Sequence, residues 1–111
     1  MSEYITYLLD ELSPIGNLHT RKMFGGYGLF YHATMIGIIS DDELYLKGTP
    51  AALAVFTANH CQRFGYLRGD KYIYLNYYSL PVDALDDTET LLALVRLVIN
   101  TPEITDSAQS Q

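Results

Sequence analysis

The spacing of apolar residues along this chain switches between two periods. Tyr4, Ile5, Leu8, Leu9 and Leu12 recur at intervals of three and four, which puts them on one face of a helix, and Ser2 stands ahead of them as an N-cap. Ser13-Pro14 disfavours continuation, because the proline ring pushes the preceding residue out of helical geometry. After a polar connection, Gly16-Asn17-Leu18-His19-Thr20, the pattern becomes strand-like over residues 22–31, 35–40 and 44–47. Short polar turns at His32-Ala33-Thr34 and Asp41-Asp42-Glu43 make these runs consecutive antiparallel neighbours, a three-stranded meander.

The period then changes back. Thr49-Pro50 supplies an N-cap and a proline at the first helical position, ahead of the helix-compatible run Ala51-Ala52-Leu53-Ala54-Val55-Phe56. Residues 63–66 and 71–78 read as an aromatic-rich hairpin around Arg68-Gly69-Asp70, ended by Pro81. Asp86 with Glu89 forms a capping-box pattern before a last helix. In that helix Leu91, Leu94, Val95 and Val98 make one apolar stripe, widened by Leu92 and Ile99, until Asn100-Thr101-Pro102 stops it. The predicted order is α-β-β-β-α-β-β-α over residues 1–100, followed by a polar tail, 101–111, expected to be disordered. This is an α+β two-layer domain, with helices covering one face of a mainly antiparallel sheet. Tyr27, Tyr31, Tyr45, Tyr72, Tyr74, Tyr77 and Tyr78 all fall in predicted strands, so some must populate the other face, where a tyrosine ring packs while its hydroxyl stays wet.

Composition narrows the function classes. A chain of 111 residues, 49% apolar and only 18% charged, forms a single core. The net charge of −6 repels a nucleic acid backbone unless the seven Lys and Arg gather on one face, and in sequence they scatter from Arg21 to Arg96. A lone Cys61 leaves no intrachain disulfide and reads as a small buried hydrophobe. Neither a basic-then-apolar leader nor a run of about 20 apolar residues is present, so the expectation is a cytoplasmic protein without a membrane span.

The candidate chemistry mostly resolves into structure. Gly25-Gly26-Tyr27-Gly28 lacks the Lys-Ser/Thr ending of a P-loop and a following helix, so its glycines are expected to serve a bulge or close packing at a strand entrance. Asp41-Asp42-Glu43 lacks the alternating oxygen ligands of a calcium loop and fits a hairpin turn better. His19, His32 and His60 have no metal-ligand spacing, and extended backbone would point His60 and Cys61 opposite ways. The acids between Asp83 and Glu89 suit a helix N-terminus rather than an acid/base pair. Lys71-Tyr72-Ile73-Tyr74-Leu75 interleaves a cation with aromatics, as base-stacking strands do, yet lacks a surrounding positive groove in sequence.

Taken in order, Lys22-Met23-Phe24-Gly25-Gly26-Tyr27-Gly28-Leu29 and the run from Met35 to Lys47 resemble the TfoX (Sxy) N-terminal domain family. Tyr72-Ile73-Tyr74, Tyr77-Tyr78 followed by Pro81, and the closing helix from Asp87 to Asn100 extend the similarity to roughly Tyr4–Asn100. The resemblance implies the same α-β-β-β-α-β-β-α fold and the role of a transcriptional cofactor. Full-length members regulate natural competence, acting with the cyclic-AMP receptor protein at promoters of DNA-uptake genes. They also carry a C-terminal domain resembling helix-hairpin-helix DNA-binding modules. For these 111 residues the expectation is therefore protein contact rather than direct nucleic-acid binding.

No catalytic residue attaches to the family motif, and no cofactor or metal is expected. The expected activity is that of a non-enzymatic regulatory domain, working through a transcription-regulator partner and a homodimer formed on the sheet face or edge. Tyr27, Tyr45, Tyr77 and Tyr78 are the candidate contact residues, with Arg21, Lys22 and Lys47 as rim charges. The alternative is a small-ligand-binding domain or enzyme with a pocket near Arg21 and Gly25-Gly28. A deep pocket of convergent polar groups would favour it, and a shallow aromatic surface would not.

Overall fold

A computed structural model of the chain describes residues 3–23 and 25–100. Helix α1 (Glu3–Glu11) runs into a single 3-10 turn over Ser13–Ile15, where Pro14 ends the α geometry as its ring requires. Four strands follow: β1 (Leu18–Met23), β2 (Gly26–Tyr31), β3 (Thr34–Ser40) and β4 (Glu43–Lys47). Helix α2 (Pro50–Ala58) leads to the hairpin β5 (Arg63–Arg68) and β6 (Lys71–Ser79), and α3 (Val82–Asp86) and α4 (Thr88–Asn100) complete the described chain. All neighbours in the sheet are antiparallel, in the order β1-β2-β3-β4-β6-β5, and the helices lie on one face: the α+β two-layer class is as expected.

Two features differ from the sequence reading. Residues 18–23 form a strand, where residues 16–20 were expected as a polar connection and 22–31 as a single strand, and the meander therefore has four strands. The cause is local: Gly25, at φ 75°, sits in a tight turn, so the run from Lys22 to Tyr31 folds back on itself instead of continuing as one strand. Gly26 is required by close packing, since a Cβ there would lie 2.3 Å from the carbonyl oxygen of Ile39. At the last helix the cap is Asp87 rather than Asp86. Its Oδ2 accepts from the Thr90 amide at 3.0 Å and from the Thr90 hydroxyl at 2.7 Å, and Asp86 closes the extra short helix α3. Asp41 and Asp42, at φ 51° and 58°, form the two-residue β3–β4 turn, a conformation Asp tolerates better than most residues. The Ser2 cap and the 101–111 tail lie outside the described residues.

The core sits between the sheet and the helices. Leu29, Ile36, Ile39, Leu44 and Leu46 from the meander meet Ile5, Leu8 and Leu12, Ala52 and Phe56 of α2, Ala84 of α3, and Leu91, Leu92, Leu94, Val95 and Val98 of α4. Strand alternation explains the choice: Leu44 and Leu46 are buried, while Tyr45 and Lys47 between them point to the other face. Thr49 stands at the N-cap of α2, but its hydroxyl makes no capping bond and is buried without a partner.

Candidate functional site

The uncovered face of the sheet is strongly curved. Met23 of β1 and Phe64, Tyr66 and Leu67 of β5, from opposite ends of the strand order, line one cavity of about 320 Å³, together with Tyr27, Met35, Ile38, Ser40 and Leu75. Gly25 and Gly26 form part of its wall. Gly28 lets the side chains of Met23, Met35 and Phe30 close over the strand, because a Cβ there would fall within 3 Å of both sulfurs and of the Phe30 ring. The lining is almost wholly apolar, with two adaptable methionines. This is neither a polar catalytic pocket nor a shallow aromatic surface.

The structure distributes the candidate residues over both faces. Tyr45 is on the uncovered face, its ring edge-on to Phe64 at 4.9 Å and its hydroxyl donating to Glu43 Oε1 at 3.1 Å. Partial burial raises the Tyr45 pKa first, and the Glu43 hydrogen bond and the negative charges of Glu43 and Asp41 raise it further. Tyr77 donates its hydroxyl to the Met35 carbonyl at 3.4 Å, and Lys47 pairs with it in register on the same side. Arg21 lies over the Phe30 ring, 4.9 Å from its centroid, a cation-π contact at the outer strand. Tyr27 borders the cavity and also packs against the core, opposite Ile39 in register, and Lys22 is its β1 neighbour. Tyr78 belongs to the covered face, stacked on Phe56 at 5.3 Å. Tyr45, Tyr77, Lys47 and Arg21 thus share one surface, and Tyr78 is separated from them by the sheet.

Sequence reasoning missed one exposed aromatic cluster. β6 extends past the end of β4, so residues 71–74 pair with β5 but not with the meander. Tyr72 and Tyr74 stand on the same side of β6 as Tyr78, yet no helix reaches them and they are 55% and 57% exposed. Leu67, opposite Tyr72, is 66% exposed. Gly65 makes room for both tyrosines, since a Cβ there would lie 2.5 Å from the Tyr72 ring. The available signal was length: the second hairpin strand, at nine residues, outlasts the five of β4 beside it.

Charge is segregated along the same division. The segment from Leu18 to Ser79 carries six of the seven Lys and Arg against four acids, three of them in the β3–β4 turn. The helical segments Glu3–Glu11 and Val82–Asn100 carry seven acids against Arg96 alone. The cations that look scattered in sequence are gathered on the sheet. Cys61 is half-buried, and loss of solvation pushes its thiol pKa up, away from the reactive thiolate, although the Ser79 hydrogen bond opposes the shift. No helix among the described residues is long and apolar enough to cross a membrane.

Residues 10–101 match the family model described as the TfoX N-terminal domain. The chain is similar to the DNA transformation protein TfoX1 of Aliivibrio fischeri, 29% identical over 96 residues that make up 86% of this chain and 46% of that protein. It is also similar to the DNA transformation protein TfoX of Haemophilus influenzae, 32% identical over 94 residues, 83% of this chain and 42% of the relative. Protein Sxy of Escherichia coli is 27% identical over 71 residues, 64% of this chain and 34% of that protein. The chain spans less than half the length of each of these relatives.

Proposed function

The chain belongs to the TfoX N-terminal domain family, and on that footing we propose that it is a non-enzymatic regulatory domain of the competence-regulator type, acting in the cytoplasm through protein contacts. The observation that carries this reading is the match over residues 10–101, together with relatives named as DNA transformation proteins. The surface chemistry supports contact rather than catalysis: the uncovered face offers aromatic and apolar groups with cations at its edges. A transcription-regulator partner, such as a cyclic-AMP receptor protein, and a homodimer are the expected contacts. Arg21, Lys22, Lys47, Tyr27, Tyr45 and Tyr77 are the candidate contact residues; Tyr78, stacked on Phe56 beneath α2, leaves that set.

A domain exchange tests the reading. In Haemophilus influenzae, the matching part of the TfoX relative is replaced by residues 10–101 of this chain, and transformation frequency is measured against a strain whose regulator lacks that part. Restored transformation is expected, together with direct capture of purified cyclic-AMP receptor protein by the exchanged regulator. Transformation no higher than without the domain would overturn it.

The cavity favours a second reading, a small apolar ligand bound near Gly25 and Gly26. Its volume, about 320 Å³, falls at the lower end of ligand-site sizes. An apolar fluorescent probe that binds wild type, and binds Ile38→Trp much more weakly, would support it; equal binding by the two proteins would remove it.

A further inference from the structure

The sheet has two edges, and they are built differently. β1, at one edge, carries His19, Thr20, Arg21 and Lys22, with His19 and Arg21 engaged on Phe30. Charged and polar side chains of this kind discourage another strand from adding. β5, at the other edge, places Phe64, Gly65, Tyr66 and Leu67 between Arg63 and Arg68. It is an apolar edge with a cation at each end, and Lys71 stands opposite Arg68 across the turn. In a chain of net charge −6, this hairpin holds three cations against one acid, Asp70.

We propose that the β5 edge is a strand-addition site for an extended acidic segment of another polypeptide, with carboxylates meeting Arg63 and Arg68 and apolar residues lying beside Phe64, Tyr66 and Leu67. Main-chain hydrogen bonding gives such a site its affinity, and alternate side chains give it specificity. Side chains on the uncovered face of the added strand lie at the mouth of the cavity that Phe64, Tyr66 and Leu67 line. Those on the opposite face lie beside the exposed rings of Tyr72 and Tyr74. Charge argues against a second copy as the occupant. In antiparallel pairing of two β5 strands about Gly65 and Tyr66, Arg63 of one copy meets Arg68 of the other, and like charges placed opposite each other destabilise a sheet. The acids of the helical segments lie outside the hairpin, whose own three cations make it the place on this acidic chain where an acidic segment is attracted.

This inference deepens the protein-contact reading and rests on it, but its test needs no transformation assay, so the two can fail separately. The probe is a short synthetic peptide of alternating valine and threonine with a glutamate pair at each end. Binding to the full chain is followed by backbone amide chemical shifts. The expected result is a set of shifts centred on Arg63–Arg68, with affinity that falls as salt rises. Arg68→Glu with Lys71→Glu, both exposed, should weaken binding roughly tenfold, since each exposed pair contributes modestly and reversal makes it repulsive. Arg96→Glu on α4 makes a single charge change away from the hairpin and should bind as wild type does. Shifts that are absent or centred elsewhere, or equal binding of a peptide ending in lysines, would overturn the proposal. So would sedimentation showing that the hairpin variants dissolve a dimer, because the occupant would then be a second copy.

Discussion

Tyr78 and Tyr72 lie on the same side of one strand, six residues apart, and meet opposite fates. Tyr78 is under α2, stacked on Phe56 and packed against the core, whereas Tyr72 is more than half exposed beside Tyr74. The residue type and strand alternation are the same; the difference is that the helical layer ends and β6 continues. A covered tyrosine contributes burial and packing to stability. An uncovered one leaves apolar area that only a partner can remove from water. The domain therefore divides into a meander that is finished by its own helices and a hairpin that is not.

That division is open to direct attack. Phe56→Ala should destabilise by about 3–5 kcal/mol in urea unfolding, since it empties the space under Tyr78. Tyr72→Ala and Tyr74→Ala should each stay within about 0.5 kcal/mol of wild type. Comparable losses at the two ends of β6 would break the comparison. The glycines offer a second contrast. Gly26→Ala drives a Cβ into the Ile39 carbonyl, fixed main chain, and should cost roughly 1–3 kcal/mol. Gly65→Ala meets only the movable rings of Tyr72 and Tyr74 and should cost under about 1 kcal/mol. Asp87→Ala, which removes the cap of the covering helix α4, should lower stability by about 1 kcal/mol and leave peptide binding at the hairpin unchanged.

The smallest expected effect lies where the two regions meet, at Tyr45 against Phe64. Its pKa is raised in the folded protein above the ordinary value of 10.0, so the unfolded chain ionises first. The stability associated with the neutral hydroxyl is complete below about pH 10 and is lost as pH climbs through the folded value. Tyr45→Phe should flatten the alkaline side of the stability profile and leave the neutral region nearly unchanged. A profile as steep as wild type above pH 10 would remove Tyr45 as a source of that loss.

Much of this architecture is legible in the residues. The stripe at Leu91, Leu94, Val95 and Val98 is buried as its spacing requires, and Leu44 and Leu46 alternate with Tyr45 and Lys47 across the sheet. The turn at Asp41-Asp42 follows from side chains that tolerate positive φ. Residues 18–23 were illegible as a strand because an edge strand needs no apolar alternation, and Leu18-His19-Thr20-Arg21-Lys22 has the polar look of a loop. The surface was harder to read than the fold. Which tyrosines are covered depends on where α2 and α4 end relative to β6, a tertiary fact without a local pattern. Charge scattered along the chain becomes segregated only when the sheet gathers Arg21, Lys47, Arg63, Arg68 and Lys71 into one layer. The cavity likewise needs the curl that brings Met23 beside Phe64 and Tyr66.

The β5–β6 hairpin is the side of the domain that its own helices leave unfinished. Residue-resolved amide hydrogen exchange on the full chain, with and without the glutamate-ended peptide, tests it most directly. Added protection is expected along Arg63–Arg68 and Lys71–Leu75, with β1 and α4 unchanged. Added protection along β1 or α4, with the hairpin exchanging as before, would contradict it.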